Sequence, residues 1–238
     1  MNIALIGYGK MGKAIEEIAL QRGHTIVLKI DIDNAGEFTK ENISKADVAI
    51  EFTGPHSAYE NVKKLMDFGI ATICGSTGWL EKMELINQIC KQNDAAFLYA
   101  SNFSIGVNLF FEINKKLAAM MAANSDYQVQ LTEIHHTQKK DAPSGTAITL
   151  AEQILDNIPG KKSWVNQHTN NPEELEILSE RRDPAPGTHK VKYSSANDTI
   201  EITHTAHNRT GFALGAVLAA EFINGKKGIY SMKDVLGF

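Results

Sequence analysis

The chain opens on a short apolar run, Asn2–Ile6, that breaks at Gly7-Tyr8-Gly9-Lys10-Met11-Gly12. This G-x-G-x-x-G turn constrains the fold more than any other stretch, because of what flanks it. After it, Ala14, Ile15, Ile18 and Ala19 recur at helical spacing through Lys13–Arg22, and Gly23 stands where a helix C′ glycine belongs. Thr25–Ile30 is then a β-branched run that ends at Asp31. Strand, glycine turn, helix, strand and terminal acid together read as a dinucleotide-binding βαβ unit. Gly7 permits the tight turn, Gly9 lets backbone approach a pyrophosphate at the helix N-terminus, and Gly12 lets helix and strand pack closely. Asp31 lies where an acid binds the adenosine ribose hydroxyls. Ile32 follows it and Lys29 is the nearest base, which favours NADH, while Lys10 inside the loop still offers a cation to a 2′-phosphate.

The alternation continues. Strands are predicted over Asp47–Phe52, Gly69–Cys74 and Ala95–Ala100, with helices over Ser57–Phe68 and Leu80–Gln92. Three turns follow strand C-termini: Thr53-Gly54-Pro55, Gly75-Ser76-Thr77-Gly78 and Ala100-Ser101-Asn102-Phe103. That is the ligand edge of a doubly wound sheet, so each turn is either a lining for the nicotinamide half of a cofactor or an ordinary strand-to-helix turn. After Phe103 the pattern changes to a helix over Asn108–Met121, a strand over Tyr127–His136 and a helix over Thr146–Ile158. A loop over Pro159–His189, strands over Lys190–Ser194 and Thr199–His204, a helix over Ala213–Asn224 and a short tail complete it. The expected class is α/β: a Rossmann-like doubly wound parallel sheet over 1–103, completed by 211–238. A second, α+β domain over 104–210 is expected to bind substrate.

Composition narrows the partners. A formal net charge of −4 over 238 residues gives no basic excess for nucleic acid. No apolar run approaches the roughly 20 residues of a membrane span, and Ile3–Ile6 is too short for a signal peptide, which points to the cytoplasm. Cys74 and Cys90 form no CxxC and no metal spacing, and read as buried thiols. The adjacent His135 and His136 face opposite sides of a strand, and no acid or thiol is suitably spaced with them or with His204 and His207. No metal is expected.

The richest polar stretch is Glu133-Ile134-His135-His136-Thr137-Gln138-Lys139-Lys140-Asp141-Ala142-Pro143-Ser144-Gly145-Thr146. It joins a strand to a helix. Histidine can deliver a proton near neutrality, lysine can hold a carboxylate or donate a proton itself, and the amides of Ser144, Gly145 and Thr146 open the helix toward an anion. The bland alternative is a solvated polar loop. A dinucleotide enzyme needs a substrate site, however, and this is the candidate.

The chain resembles the 4-hydroxy-tetrahydrodipicolinate reductase (dihydrodipicolinate reductase) family. The resemblance is carried by Glu133-x-His135-His136-x-x-Lys139-x-Asp141-Ala142-Pro143-Ser144-Gly145-Thr146-Ala147. Further matches are Gly7–Gly12, Gly75–Gly78, Ser101-Asn102-Phe103-Ser104, Gly187-x-His189 and Ile202-Thr203-His204, so nearly the whole chain is covered. The resemblance implies an NADH- or NADPH-dependent reduction of an unsaturated cyclic dicarboxylate to tetrahydrodipicolinate, in lysine and diaminopimelate biosynthesis. It implies His135 as general acid and Lys139 as a second proton donor. Lys139 also holds substrate, along with His136, Ser144, Gly145 and Thr146. Cofactor contacts would come from Gly7, Tyr8, Gly9, Lys10, Met11, Gly12, Asp31, Gly75, Ser76, Thr77, Ala100, Ser101, Asn102 and Phe103. It further implies a homotetramer with the second domain's sheet at its core. The family often has arginine at position 10 and glutamate at position 31, where this chain has Lys10 and Asp31.

Overall fold

The computed structural model describes residues 1–238, which divide into two units: Met1–Ile105 with Arg209–Phe238, and Gly106–Asn208.

In the first unit, strands β1 (Asn2–Ile6), β2 (Thr25–Ile30), β3 (Val48–Glu51), β4 (Ala71–Cys74) and β5 (Ala96–Tyr99) form a parallel sheet. A C-terminal strand, Gly228–Tyr230, adds to its β5 edge, so the order is C-terminal strand, β5, β4, β3, β1, β2. Both faces of β1 are covered. Ile3 and Leu5 pack with Ile15 of helix α1 (Lys10–Gln21) and Ala216 of the helix Thr210–Ile223. Ala4 and Ile6 pack on the other side with Ile43 of helix α2 (Lys40–Ile43) and Leu65 of helix α3 (Ala58–Asp67). This two-sided burial is why β1 reads as a continuous apolar run and does not alternate. β2 lies on one side of β1 and β3 on the other, so the strand order turns at β1, where open α/β sheets bind ligands.

Three local details differ from the sequence expectation. Helix α1 starts at Lys10, not Lys13, with Gly9 at its N-cap, so the second half of the glycine turn is already helical. Leu80–Lys82 is a separate 3-10 turn ahead of helix α4 (Met83–Gln92). The tail is ordered as the C-terminal strand and a helix, Met232–Leu236. A three-residue edge strand has too few residues to show a period.

The second unit carries α5 (Ile105–Met121, continuing from the first unit), β6 (Gln128–His135), α6 (Gly145–Asn157), β7 (Ser163–Val165), β8 (Glu174–Arg181), β9 (Gly187–Ser194) and β10 (Thr199–Ala206). They form one mixed sheet in the order β10-β9-β6-β8-β7. The expected loop over Pro159–His189 is corrected here, since it holds β7, β8 and the start of β9. Leu175 and Ile177 of β8 are fully buried, but the charged Glu174, Glu176, Glu180 and Arg181 around them hide the alternation in sequence. Phe110, Ala118, Leu150 and Ile154 of α5 and α6 pack with Leu131, Ile177 and Val191 on one face of the sheet.

Candidate active site

In the first unit the glycine turn sits at the end of β1. Gly7 has φ +94°, and a Cβ there would stand 2.3 Å from the Phe52 carbonyl oxygen. A Cβ on Gly12 would stand 2.3 Å from the Gly7 carbonyl oxygen, so the turn closes only with glycine at both places. Gly9, in contrast, faces open space at the head of α1. Loop, helix N-terminus and free space fit a dinucleotide pyrophosphate. Beside them runs a cleft of about 400 Å³, lined in part by Gly9, Asp31, Phe52, Thr53 and Asn61.

Asp31 borders that cleft. One carboxylate oxygen accepts from the Ile32 amide at 2.9 Å, and the Asp31 amide donates to Asn34 Oδ1 at 2.7 Å. The acid is therefore held by the turn that follows β2. Lys29 is engaged elsewhere: its Nζ is 2.7 Å from Glu16 and 4.7 Å from the centre of the Tyr8 ring. Tyr8 itself donates to Glu16. Lys10 is exposed and Met11 packs partly into the core.

The other expected cofactor residues differ in their freedom. Ser76 is buried; its hydroxyl donates to Glu51 Oε1 at 3.1 Å and accepts from the Thr53 amide at 2.9 Å. It braces the Thr53 and Gly75 turns against the fully buried Glu51. Thr77 is exposed next to it. Ala100 donates its amide to the Cys74 carbonyl at 3.2 Å, and Asn102 Oδ1 accepts from the Ser104 amide at 2.9 Å. Ser101 is exposed, while the Phe103 ring is buried, 5.6 Å from that of Phe52. Both cysteines are buried free thiols. Burial, aided by the adjacent Glu51, pushes the Cys74 thiol well above its ordinary value, which leaves it unreactive.

In the second unit one strand face turns from core to site. Along β6 the buried positions are Val129, Leu131, Glu133 and His135; along β9 they are Tyr193, Val191, His189 and Gly187. Glu133 lies opposite His189 in the antiparallel register, and Ser179 and Arg181 of β8 face Glu133 and His135 from the other side. Glu133 is fully buried. Its Oε2 is 2.7 Å from His135 Nδ1, and its Oε1 accepts from Arg181 at 2.8 Å. Burial alone would raise this carboxyl; hydrogen bonds from His135, Ser179, Ser144 and Arg181 reverse that and hold it well below its ordinary range. The His189 ring lies 5.1 Å from that of His135, edge to face. Burial, then the neighbouring His135, push His189 down to about 3, so it is neutral at physiological pH.

Lys139 leaves the strand end with its Nζ 2.8 Å from both carboxylate oxygens of Asp141. His136 is half-buried. Ser144 is the N-cap of α6, accepting from the Ala147 amide at 3.2 Å and pairing with His189 Nε2 at 3.1 Å. The Ser144 hydroxyl thus already has internal partners. Gly145 is exposed at the first turn of α6, with Thr146 half-exposed behind it. An exposed helix N-terminus beside Lys139 and His136 is suited to carboxylates.

Sequence reasoning gave no role to Glu133, Arg181 or His189. Glu133 and His189 lay inside recognised motifs. Arg181 lay in the presumed loop, though the two-residue spacing of Leu175, Ile177, Ser179 and Arg181 places it on the same face. Glu133, His135 and His189 also offer ligand atoms within 4.8 Å of one another. The Arg181 guanidinium is already bonded to Glu133 Oε1 and the His135 ring stands 2.7 Å from Oε2, so the carboxylate's charge is balanced by Arg181.

Residues 1–103 match the family model described as dihydrodipicolinate reductase, N-terminus, and residues 106–236 match the one described as its C-terminus. The chain is 52% identical to a 4-hydroxy-tetrahydrodipicolinate reductase of Christiangramia forsetii, over 99% of this chain and 98% of that one. It is 35% identical to one of Methanosarcina barkeri, over 100% and 99%. Its fold is similar to a dipicolinate-bound dihydrodipicolinate reductase from Paenisporosarcina sp. TG-14, with a TM-score of 0.76 at 22% identity over 97% of each chain.

Proposed function

The chain belongs to the dihydrodipicolinate reductase family, and from that premise we propose how its own residues carry out the reaction. It is an NAD(P)H-dependent enzyme of lysine and diaminopimelate biosynthesis that reduces 4-hydroxy-tetrahydrodipicolinate, by way of dihydrodipicolinate, to tetrahydrodipicolinate. The first unit binds the dinucleotide: Gly7–Gly12 and the head of α1 receive the pyrophosphate, and Asp31 receives the adenosine ribose. The turns at Gly75–Thr77 and Ala100–Phe103 serve the nicotinamide half. When bound, the reduced nicotinamide supplies the hydride that adds to the unsaturated ring.

The second unit binds the dicarboxylate and supplies the proton. His136, Lys139 and the Ser144, Gly145 and Thr146 amides bind its carboxylates, which offsets the cost of desolvating two charges. His135 is the general acid, and Lys139, released from Asp141 by the substrate carboxylate, assists it. The single observation that carries this reading is the pairing of the buried, ionised Glu133 with His135 beside an exposed helix N-terminus.

The cofactor preference we assign is NADH. Asp31 repels a 2′-phosphate, and Lys29, the base nearest to it in sequence, is paired with Glu16. The assembly we assign is a homotetramer built on the second unit's sheet, since α5 and α6 cover one face of that sheet and leave the other to a partner. Steady-state consumption of NADH and NADPH, measured separately, tests the site. His135→Gln and Lys139→Ala should each lower kcat by about 100-fold or more, with affinity for NADH unchanged. Undiminished turnover in either variant removes that residue from the mechanism. A kcat/KM for NADPH equal to or above that for NADH removes the assigned preference.

A further inference from the structure

We propose that Glu133 is a positioning residue for the proton step: clamped by Arg181, it keeps a hydrogen on His135 Nδ1 and so leaves Nε2 as the nitrogen that delivers the proton. The inference rests on His135 being the general acid and assigns the parts that make it one.

An ionised carboxylate accepts hydrogen bonds and donates none. With Glu133 Oε2 at 2.7 Å from His135 Nδ1, a bare nitrogen would set two lone pairs against each other, so the carboxylate favours a hydrogen on Nδ1. The other ring nitrogen faces Gly187, where a Cβ would stand 3.1 Å from Nε2. The glycine leaves Nε2 uncovered. Arg181 does two things at once: its Nη2 donates to Glu133 Oε1 at 2.8 Å and to the Asp141 carbonyl at 2.5 Å. Asp141 in turn holds Lys139 through its carboxylate. One guanidinium thus ties the carboxylate behind His135 to the loop that carries the second proton donor. A carboxylate–guanidinium pair whose carboxylate is fully buried adds little net stability once desolvation is counted, so the pair is better accounted for by what it orients.

The groups facing Glu133 are His135 on its own strand, Arg181 and Ser179 on β8, His189 on β9 and Ser144 at the head of α6. His189 is neutral and the serines are uncharged, so Arg181 is the fixed positive charge paired with the carboxylate, while Lys139 is paired with Asp141. In the step itself the Nε2–H bond of the imidazolium breaks. The proton goes to the ring atom of the substrate that carries the charge left by hydride addition, and the bonding electron pair stays on Nε2. The Nδ1 hydrogen stays on its bond to Glu133, whose charge does not change, and solvent later returns a proton to Nε2.

Glu133→Gln is the informative variant. Arg181 has only donors, so it takes the amide oxygen and turns the amide NH2 toward Nδ1. The neutral ring must then hold its hydrogen on Nε2. Long-range 1H–15N histidine spectra, assigned by loss of the signal in His135→Gln, read this directly. The wild type at a pH where the ring is neutral should show the Nδ1–H form of His135, and Glu133→Gln the Nε2–H form. With that inversion kcat should fall by about 100-fold, KM for NADH should stay within about twofold, and Glu133→Asp should restore the Nδ1–H form and part of kcat. If Glu133→Gln fails to fold, the wild-type spectrum still decides, since an Nε2–H form there overturns the proposal. So does a Glu133→Gln enzyme with wild-type tautomer or wild-type kcat. Full activity in His135→Gln would instead remove the general acid, while leaving the tautomer result standing.

Discussion

A methyl group at position 187 would reach to 3.1 Å of His135 Nε2, closer than nearly all real carbon contacts of that kind. Gly187→Ala therefore tests whether that nitrogen must stay uncovered. The expected result is a fall in kcat of at least tenfold, with binding of NADH unchanged and a modest loss of stability of about 1–3 kcal/mol from overpacking. Measured kcat beside thermal unfolding separates the two effects; a destabilised variant with full kcat would show that Nε2 is not the working nitrogen. The residue scale is also where the sequence was least informative. His135 and Lys139 stood out as candidates because they lie in the motif that carries the family resemblance. Glu133 and Arg181 did not, because their roles exist only once β6 and β8 lie side by side. Ser144 was legible in position but not in use: it opens α6 as expected, yet its hydroxyl is turned inward to His189.

At the scale of elements, β6 and β9 place a carboxylate and a histidine in the same buried layer, and this makes folding sensitive to acid. Glu133 gives up its proton more readily in the folded chain than its ordinary 4.5, so its contribution is complete above about pH 4.5 and is lost as pH falls below that. His189 takes a proton near 6.5 when unfolded but only near 3 when folded, so between those values the unfolded chain binds more protons. His204, lowered by burial and by His207, acts in the same direction. Stability should thus decline as pH falls from 6.5, by about 1.4 kcal/mol per pH unit for each proton, and more steeply below 4.5. Urea unfolding across pH 7 to 4 checks this; His189→Gln should flatten the limb between 6.5 and 4.5, and an unchanged slope would contradict the assignment. The element boundaries show why some strands were legible and one region was not. β1 and β6 announce themselves by a continuous apolar run and by clean alternation. β8 carries its two buried residues, Leu175 and Ile177, between glutamates, and the prolines at 159, 172, 184 and 186 suggest a loop that is really a series of strand connections.

At the scale of the molecule, the chain forms two compact units, each with its own core, and the proposed reaction draws the cofactor site from the first and the proton from the second. The first follows from one local motif: a glycine turn between a strand and a helix fixes a parallel sheet, its switch point and the place of a dinucleotide. The second has no comparable local rule. Its mixed sheet depends on pairings between residues up to 66 positions apart, such as Gln128 with Ser194, which no window of sequence displays. The motif of the second unit was therefore visible in sequence before its architecture was. In the proposed reaction, hydride from NAD(P)H and a proton from His135 add to one cyclic dicarboxylate. Its most direct test uses NADH deuterated at the transferring position of C4, with substrate generated in situ from pyruvate and aspartate semialdehyde. The account predicts substrate-dependent oxidation of the cofactor and a tetrahydrodipicolinate product one mass unit heavier, the deuterium bound to ring carbon. Oxidation that does not depend on the dicarboxylate, or a product without the label, would contradict it.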